Sequence, residues 1–294
     1  AGPSTTQVSN LLELFQTRRY DDAEKLAASL TQEFPTFQLG WKVMGPVLSQ
    51  TGRKSEAVNA NDKAVALSPQ DAEAQYNLGI TLQELGKLED AIASYRQEIA
   101  LKPDYVKAHN NLGGMLKELG RLEEAKTSYT QAIVLKPNDD KAHYNLGNTL
   151  KELGKLDEAE ASYRQAITFK PDFAEAHANL GSLLRELSRL KESEACLTQA
   201  ITLKPDYATA HYNLGNTLQE LDRLDEAEAS YRQAITLKPD YAQAHYNLGV
   251  THQEFGRLEE SVSSFQQAFA TRSGIRPIGD DVLAPATTAL LFEL

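Results

Sequence analysis

The chain has 294 residues, with 30 Lys and Arg against 41 Asp and Glu, for a net charge of −11. That balance argues against a nucleic-acid partner, which calls for a basic stripe, and against an anionic membrane surface. No apolar run of about 18 residues offers a membrane helix, and no charged-then-apolar signal peptide opens the sequence. A soluble cytoplasmic protein is the simplest expectation, with a trimmed export signal as the alternative.

Seven prolines, Pro35, Pro69, Pro103, Pro137, Pro171, Pro205 and Pro239, recur every 34 residues. A period of that length closed by proline marks a helical-repeat array. In chain order, a weak repeat begins near Ser4, where only Ala23 and Pro35 fit well. A divergent one begins near Gln38, and Pro46 inside its first helix predicts a kink or strain. Six clear repeats then begin near Ala72, Val106, Asp140, Ala174, Ala208 and Ala242.

Residues 142–167 show the unit. Ala142, Leu146, Leu150 and Leu153 fall at helical spacing, and Gly154 ends that helix by taking a left-handed conformation. A second helix is expected over residues 157–168, with Ala159, Tyr163, Ala166 and Ile167 inward and Pro171 closing the turn. Gly79, Gly113, Gly147, Gly181, Gly215 and Gly249 sit mid-helix, where glycine costs about 1 kcal/mol relative to alanine. That repeated cost predicts close approach of a neighbouring helix. Ala91, Ala125, Ala159 and Ala227, with Ser193 and Ser261, play the same part on the second helix. Tyr95, Tyr129, Tyr163, Tyr231 and Phe265 are expected to fill the gap between hairpins.

The departures are Ser188 and Asp222 for the turn glycine, Leu197 for the aromatic, and Cys196 in a slot held by Ser162 and Ser230. A lone cysteine cannot form an internal disulfide, and a semi-buried helical thiol is the expectation. Ser273 stands where the next proline is due, so the array is expected to end near residue 270. Beyond it, Arg272, Ser273, Gly274 and Pro277 suggest a flexible exit, Gly279 to Asp281 a turn, and Val282, Leu283, Leu290, Leu291, Phe292 and Leu294 an apolar tail. The tail has three open fates: a cap on the last hairpin, a pseudo-ligand in a groove, or disorder. An extended conformation in the groove of a neighbouring copy is favoured, and with it self-association. The abrupt ends suggest a fragment of a longer protein, with residues 287–294 as the start of a further domain.

Small residues at the eighth and twentieth positions, leucine at the seventh, an aromatic at the twenty-fourth and proline at the thirty-second resemble the tetratricopeptide repeat. Trp41 and Gly45 restore that family's pattern in the divergent repeat. The resemblance covers residues 4–270, about seven or eight repeats, and implies an all-α right-handed superhelical solenoid, with residues 271–294 as a separate tail. It also implies that the second, fifth, sixth, ninth, twelfth and thirteenth positions of each first helix face a ligand on the concave side.

At the sixth position stand Asn77, Asn111, Asn145, Asn179, Asn213 and Asn247. Asparagine is a mediocre helix former, and its amide offers the donors and acceptor that bridge a peptide group. The series is similar to the asparagine ladder of the tetratricopeptide superhelix in O-linked N-acetylglucosamine transferase, where such residues hold substrate backbone. Bracing of one repeat against the next is the other open reading. Around the series lie Tyr76, Asn110, Tyr144, Tyr212 and Tyr246 at the fifth position, with Ala178 breaking the tyrosines. Asn148 and Asn216 hold the ninth position, and Lys117, Lys151 and Arg185 the twelfth, beside Glu118, Glu152 and Glu186. With Lys107 and Lys141 at the second position, the middle of the groove is its most basic part. That stretch suits an acidic or phosphorylated segment, or is simply a solvated face. The lysine at the fifth position that a chaperone-tail clamp needs is absent from the six clear repeats.

His109, His143, His177, His211 and His245 also recur every 34 residues. Neighbouring ones stand about a helix spacing apart, too far to share a zinc ion at ~2.0–2.1 Å, so packing is the expectation. No phosphate loop, nucleophile elbow or paired metal-histidine motif occurs. The reading is therefore a protein-interaction module for an extended peptide, with no cofactor and no catalytic residues. Its rivals are a substrate-recruiting arm of a larger enzyme and a self-associating scaffold.

Overall fold

Proline at the end of each period and a left-handed residue near its middle cut the chain into helices of 12 to 16 residues. The computed structural model describes residues 2–273, and in these sixteen α-helices follow one another with no strand. Among the described residues, those up to Gln165 form one compact unit and those from Ala166 to Ser273 another, the boundary falling within α10 (Leu156–Phe169).

In the first unit, α1 (Thr5–Gln16) pairs with α2 (Tyr20–Glu33) and α3 (Gln38–Gln50) with α4 (Lys54–Leu67). α5 (Ala72–Glu84) pairs with α6 (Leu88–Leu101) and α7 (Val106–Glu118) with α8 (Leu122–Leu135), followed by α9 (Asp140–Glu152). In the second, α11 (Ala174–Glu186) pairs with α12 (Leu190–Leu203), α13 (Ala208–Glu220) with α14 (Leu224–Leu237), and α15 (Ala242–Glu254) with α16 (Leu258–Ser273). Within each unit the second helix of a hairpin also packs on the first helix of the next, so every repeat buries its apolar face against a neighbour. The weak first repeat is helical in both halves, and Ser4 opens it with a capping box to Gln7. α16 continues past residue 270 to Ser273, and the expectations for residues 274–294 lie outside the described residues.

The turns follow the sequence expectation. Gly154 has φ +72°, and where glycine is missing Ser188 and Asp222 take φ 57° and 59°. The mid-helix glycines admit a neighbouring helix, as expected, and what comes closest is mainly an aromatic ring of that helix. A Cβ on Gly147 would stand 2.7 Å from the ring of Tyr163, and one on Gly215 2.5 Å from that of Tyr231. The glycine thus makes room for the aromatic ring of its own hairpin. The tyrosines wedge the two helices of one hairpin and also meet the next one, as Tyr95 does in a shared cluster with Leu112 and Leu116 and Tyr231 with Leu248.

Pro46 does not break its helix. α3 runs through it, because Val43, Met44, Val47 and Leu48 are all buried in one cluster with Ala57 and Ala60 of α4. In the same hairpin Asn61 replaces the aromatic and lies against Gly45. Its amide is 1% exposed and donates to Thr81 Oγ1 at 2.8 Å and the Asn77 carbonyl at 3.3 Å.

The recurring histidines staple the turns between hairpins. Nε2 of His109, His143, His177, His211 and His245 lies 2.9–3.0 Å from the carbonyl of the proline six residues earlier. The acceptor is a carbonyl, so Nε2 carries the proton. The Trp41 indole N–H makes the same bond to Pro35 at 3.0 Å, which explains why histidine can stand where the family has tryptophan.

Candidate functional site

Helical geometry directs the asparagine series. Asn145 precedes Gly147 by two residues, ~200° around the helix, so with Gly147 turned to Tyr163 the asparagine faces away from its own second helix. The same holds along the series on α5, α7, α9, α11, α13 and α15, and Asn77, Asn111, Asn145, Asn179, Asn213 and Asn247 are all half-buried.

Tyrosine hydroxyls converge on this face, which the sequence reading missed because it treated those residues only as packing rings. Tyr95 donates to Gln83 Oε1 at 3.0 Å and Tyr163 to Asn148 Oδ1 at 2.8 Å. The Tyr231 hydroxyl is shared between Asn216 Oδ1 at 2.9 Å and Gln219 Oε1 at 2.8 Å. Burial holds the Tyr95 and Tyr231 phenols well above their ordinary range and pushes Tyr129 up to about 12, so all three stay neutral donors. The signal for this was available in the helical register: a tyrosine lying on the eighth-position glycine has a hydroxyl that reaches the ninth and twelfth positions.

Asn111 and Asn247 are among the rungs engaged within the protein. Asn111 Nδ2 lies 3.5 Å from the Tyr95 hydroxyl. Asn247 Nδ2 donates to Asn216 Oδ1 at 2.7 Å and to the Tyr212 hydroxyl at 3.4 Å. The fifth-position rings flank the face: Tyr76, Tyr144 and Tyr212 stand 6.3, 6.2 and 6.1 Å from Tyr95, Tyr163 and Tyr231. Tyr246 is 52% exposed, and Asn110 has a buried Oδ1 without a hydrogen-bond partner.

The bases of the central repeats are matched by acids one repeat on. Lys117 pairs with Glu152 and Arg185 with Glu220, each at 2.6 Å. Gln219 bonds Glu254 at 3.4 Å in the same twelfth-to-thirteenth arrangement. Lys151 is half-buried on the same face, while Lys107 and Lys141 at the second position are exposed. The twelfth-position charge seen in the sequence is therefore largely spent inside the array, which weakens it as a receptor for an acidic segment.

Among the described residues no group of three or more His, Cys, Asp or Glu could hold a metal ion, and no helix is long and apolar enough to cross a membrane.

A family model described as Cilia and flagella-associated protein 70 C-terminal domain matches residues 21–275. No curated protein gives a significant match. Several solved structures share the fold. MamA is 25% identical over 55% of this chain and 95% of its own, with a TM-score of 0.52. YrrB, a TPR protein with an unusual peptide-binding site, is 24% identical over 64% of this chain and 96% of its own, with a TM-score of 0.54. PilF of Pseudomonas aeruginosa is 20% identical over 75% of this chain and 96% of its own, with a TM-score of 0.61.

Proposed function

The chain belongs to the family of the Cilia and flagella-associated protein 70 C-terminal domain, a tetratricopeptide-repeat family, and on that premise we propose that it is a protein-interaction module that binds an extended peptide segment. The observation that carries the proposal is the register of the six half-buried asparagines, all on first helices and all turned from their own hairpins. Packed helices lie ~8–10 Å apart and an extended chain rises ~3.3 Å per residue, so one rung meets about every third residue of a ligand. The asparagine amide can bond both the C=O and the N–H of a peptide group, which gives affinity without demanding particular side chains. Each unit offers three rungs: Asn77, Asn111 and Asn145 in the first, Asn179, Asn213 and Asn247 in the second. Tyr76, Tyr144, Tyr212 and Tyr246 supply flat apolar contact beside them, and Asn110, Asn148 and Asn216 add polar groups. The role is binding, with no chemistry assigned to the array itself.

The test uses a 12-residue peptide selected from a random library on the full chain. Replacing Asn111, Asn145, Asn179 and Asn213 together by alanine is expected to keep helicity, since alanine is the better helix former. Each lost hydrogen bond is worth ~0.5–1.5 kcal/mol, so affinity should fall by roughly two decades or more. Unchanged binding by the quadruple variant, or failure to select any peptide, overturns the proposal.

A further inference from the structure

The six rungs are chemically unequal, and the difference has a local cause. In the first unit Asn111 faces the hydroxyls of both Tyr95 and Tyr76. In the second, Asn247 spends its donors on Asn216 Oδ1 and the Tyr212 hydroxyl. An amide has two N–H donors, so Asn247 has only its Oδ1 left to offer. Asn77, Asn145 and Asn213 differ: their main-chain carbonyls accept from Thr81, Thr149 and Thr217, but their side chains form no hydrogen bond among the described residues. None of their amide atoms is buried without a partner either, so these amides face solvent with donors and acceptor intact.

The residue 35 positions earlier makes the difference. Tyr212 reaches Asn247 across that interval, and Tyr76 reaches Asn111 across the same one. The residues that precede Asn77, Asn145 and Asn213 by 35 are Lys42, Asn110 and Ala178, none of which carries a phenol. Lys42 is held instead by Asp71 and Glu73, and Ala178 is buried.

We propose that the face is a ladder with only some rungs open: in the first unit Asn77 and Asn145 contact the ligand backbone while the fifth-position Tyr76 holds Asn111 as a brace, and in the second unit, taken by itself, Asn213 is the open rung while Tyr212 holds Asn247. The inference rests on the peptide-binding reading and sharpens it. Within the first unit the open rungs are two repeats apart, ~16–20 Å, which is about five or six residues of extended chain. The ligand class is therefore a segment of at least about six residues, gripped at two peptide groups near its ends and tolerant of sequence between them. Tyr76 and Tyr212 are positioning residues that set this spacing.

The experiment compares single variants against the selected 12-residue peptide. Asn77→Ala and Asn145→Ala should each weaken binding about tenfold and leave the melting temperature nearly unchanged. Asn111→Ala and Asn247→Ala should do the reverse, lowering the melting temperature and changing affinity less than about twofold. Tyr76→Phe keeps the ring beside Tyr95 and Tyr105 and removes only the hydroxyl. In that background Asn111→Ala should cost more affinity than in the parent, because the rung has been released. N-methylation along the peptide should be damaging at two positions five or six residues apart and neutral between them. Equal affinity losses at all four asparagines, or a Tyr76→Phe background that leaves the Asn111→Ala effect unchanged, overturn this inference while leaving the peptide-binding face standing. Loss at none of them overturns the peptide-binding reading itself.

Discussion

Glu98 stands where Ala64, Ala132, Ala166, Ala200, Ala234 and Ala268 stand in other repeats. It is 1% exposed, its Oε2 has no partner, and Tyr76, Tyr95, Tyr105 and Lys102 are the titratable groups around it. Burial pushes its carboxyl up to about 8 from the usual 4.5, opposed only by the charge of Lys102. The folded chain therefore takes up a proton between those values, and stability is fully present below about 4.5 and lost as pH rises through about 8. A shift of that size corresponds to roughly 4–5 kcal/mol. Thermal melts from pH 5 to pH 9 should show the parent losing stability, whereas Glu98→Gln should lack that slope and Glu98→Ala should exceed the parent at pH 8. Parallel slopes in all three would show that Glu98 does not titrate in this window. Sequence alone identifies the odd residue against six alanines; its isolation is a property of the packing, since no cation in the local sequence comes to bond it.

At the scale of the helix and its turn, two substitutions of opposite sign test the same hairpin logic. Tyr163 is 1% exposed and cannot move aside, so Gly147→Ala should cost ~1–3 kcal/mol by overpacking despite alanine's better helix propensity. Ser188 holds a left-handed backbone, which costs an ordinary L-residue ~1–2 kcal/mol, so Ser188→Gly should be stabilising by up to about 1 kcal/mol. Asp222→Gly should gain less, because aspartate visits that conformation more readily. Denaturant midpoints read both effects, and a stabilising Gly147→Ala would contradict the ring-wedge account. Helix starts show a related trade. Asp71 and Asp139 cap α5 and α9 through their carboxylates, whereas Tyr207 and Tyr241 at the same place make no cap and stack under Lys204 and Lys238 at 4.9 Å. Where Asp139 replaces the ring, Lys136 pairs with it at 3.1 Å instead.

For the whole molecule, stability should vary along the chain because each hairpin is held by its neighbours. α1 and α2 pack against each other more loosely than the helices of α3–α4, α5–α6, α7–α8, α11–α12, α13–α14 or α15–α16. Hydrogen exchange should accordingly open α1–α2 first and α5–α8 later within the first unit; equal protection across residues 5–135 would contradict this.

The 34-residue period, the helical hairpin, its turns and the family were legible in the sequence, because they depend on local physics: proline cannot continue a helix, and helical spacing collects apolar residues on one side. The candidate face was legible too, since its asparagines recur in register. What only tertiary structure decided was who bonds to whom. The tyrosine that wedges a hairpin, the histidine that reaches a proline carbonyl and the glutamate that pairs with a lysine 35 residues earlier meet through folding. An Asn77 and an Asn247 look alike in sequence, yet one keeps its amide and the other gives its donors to a tyrosine and a second asparagine. That difference arises because hydrogen bonds depend on a few tenths of an ångström between repeats, a distance no periodicity encodes.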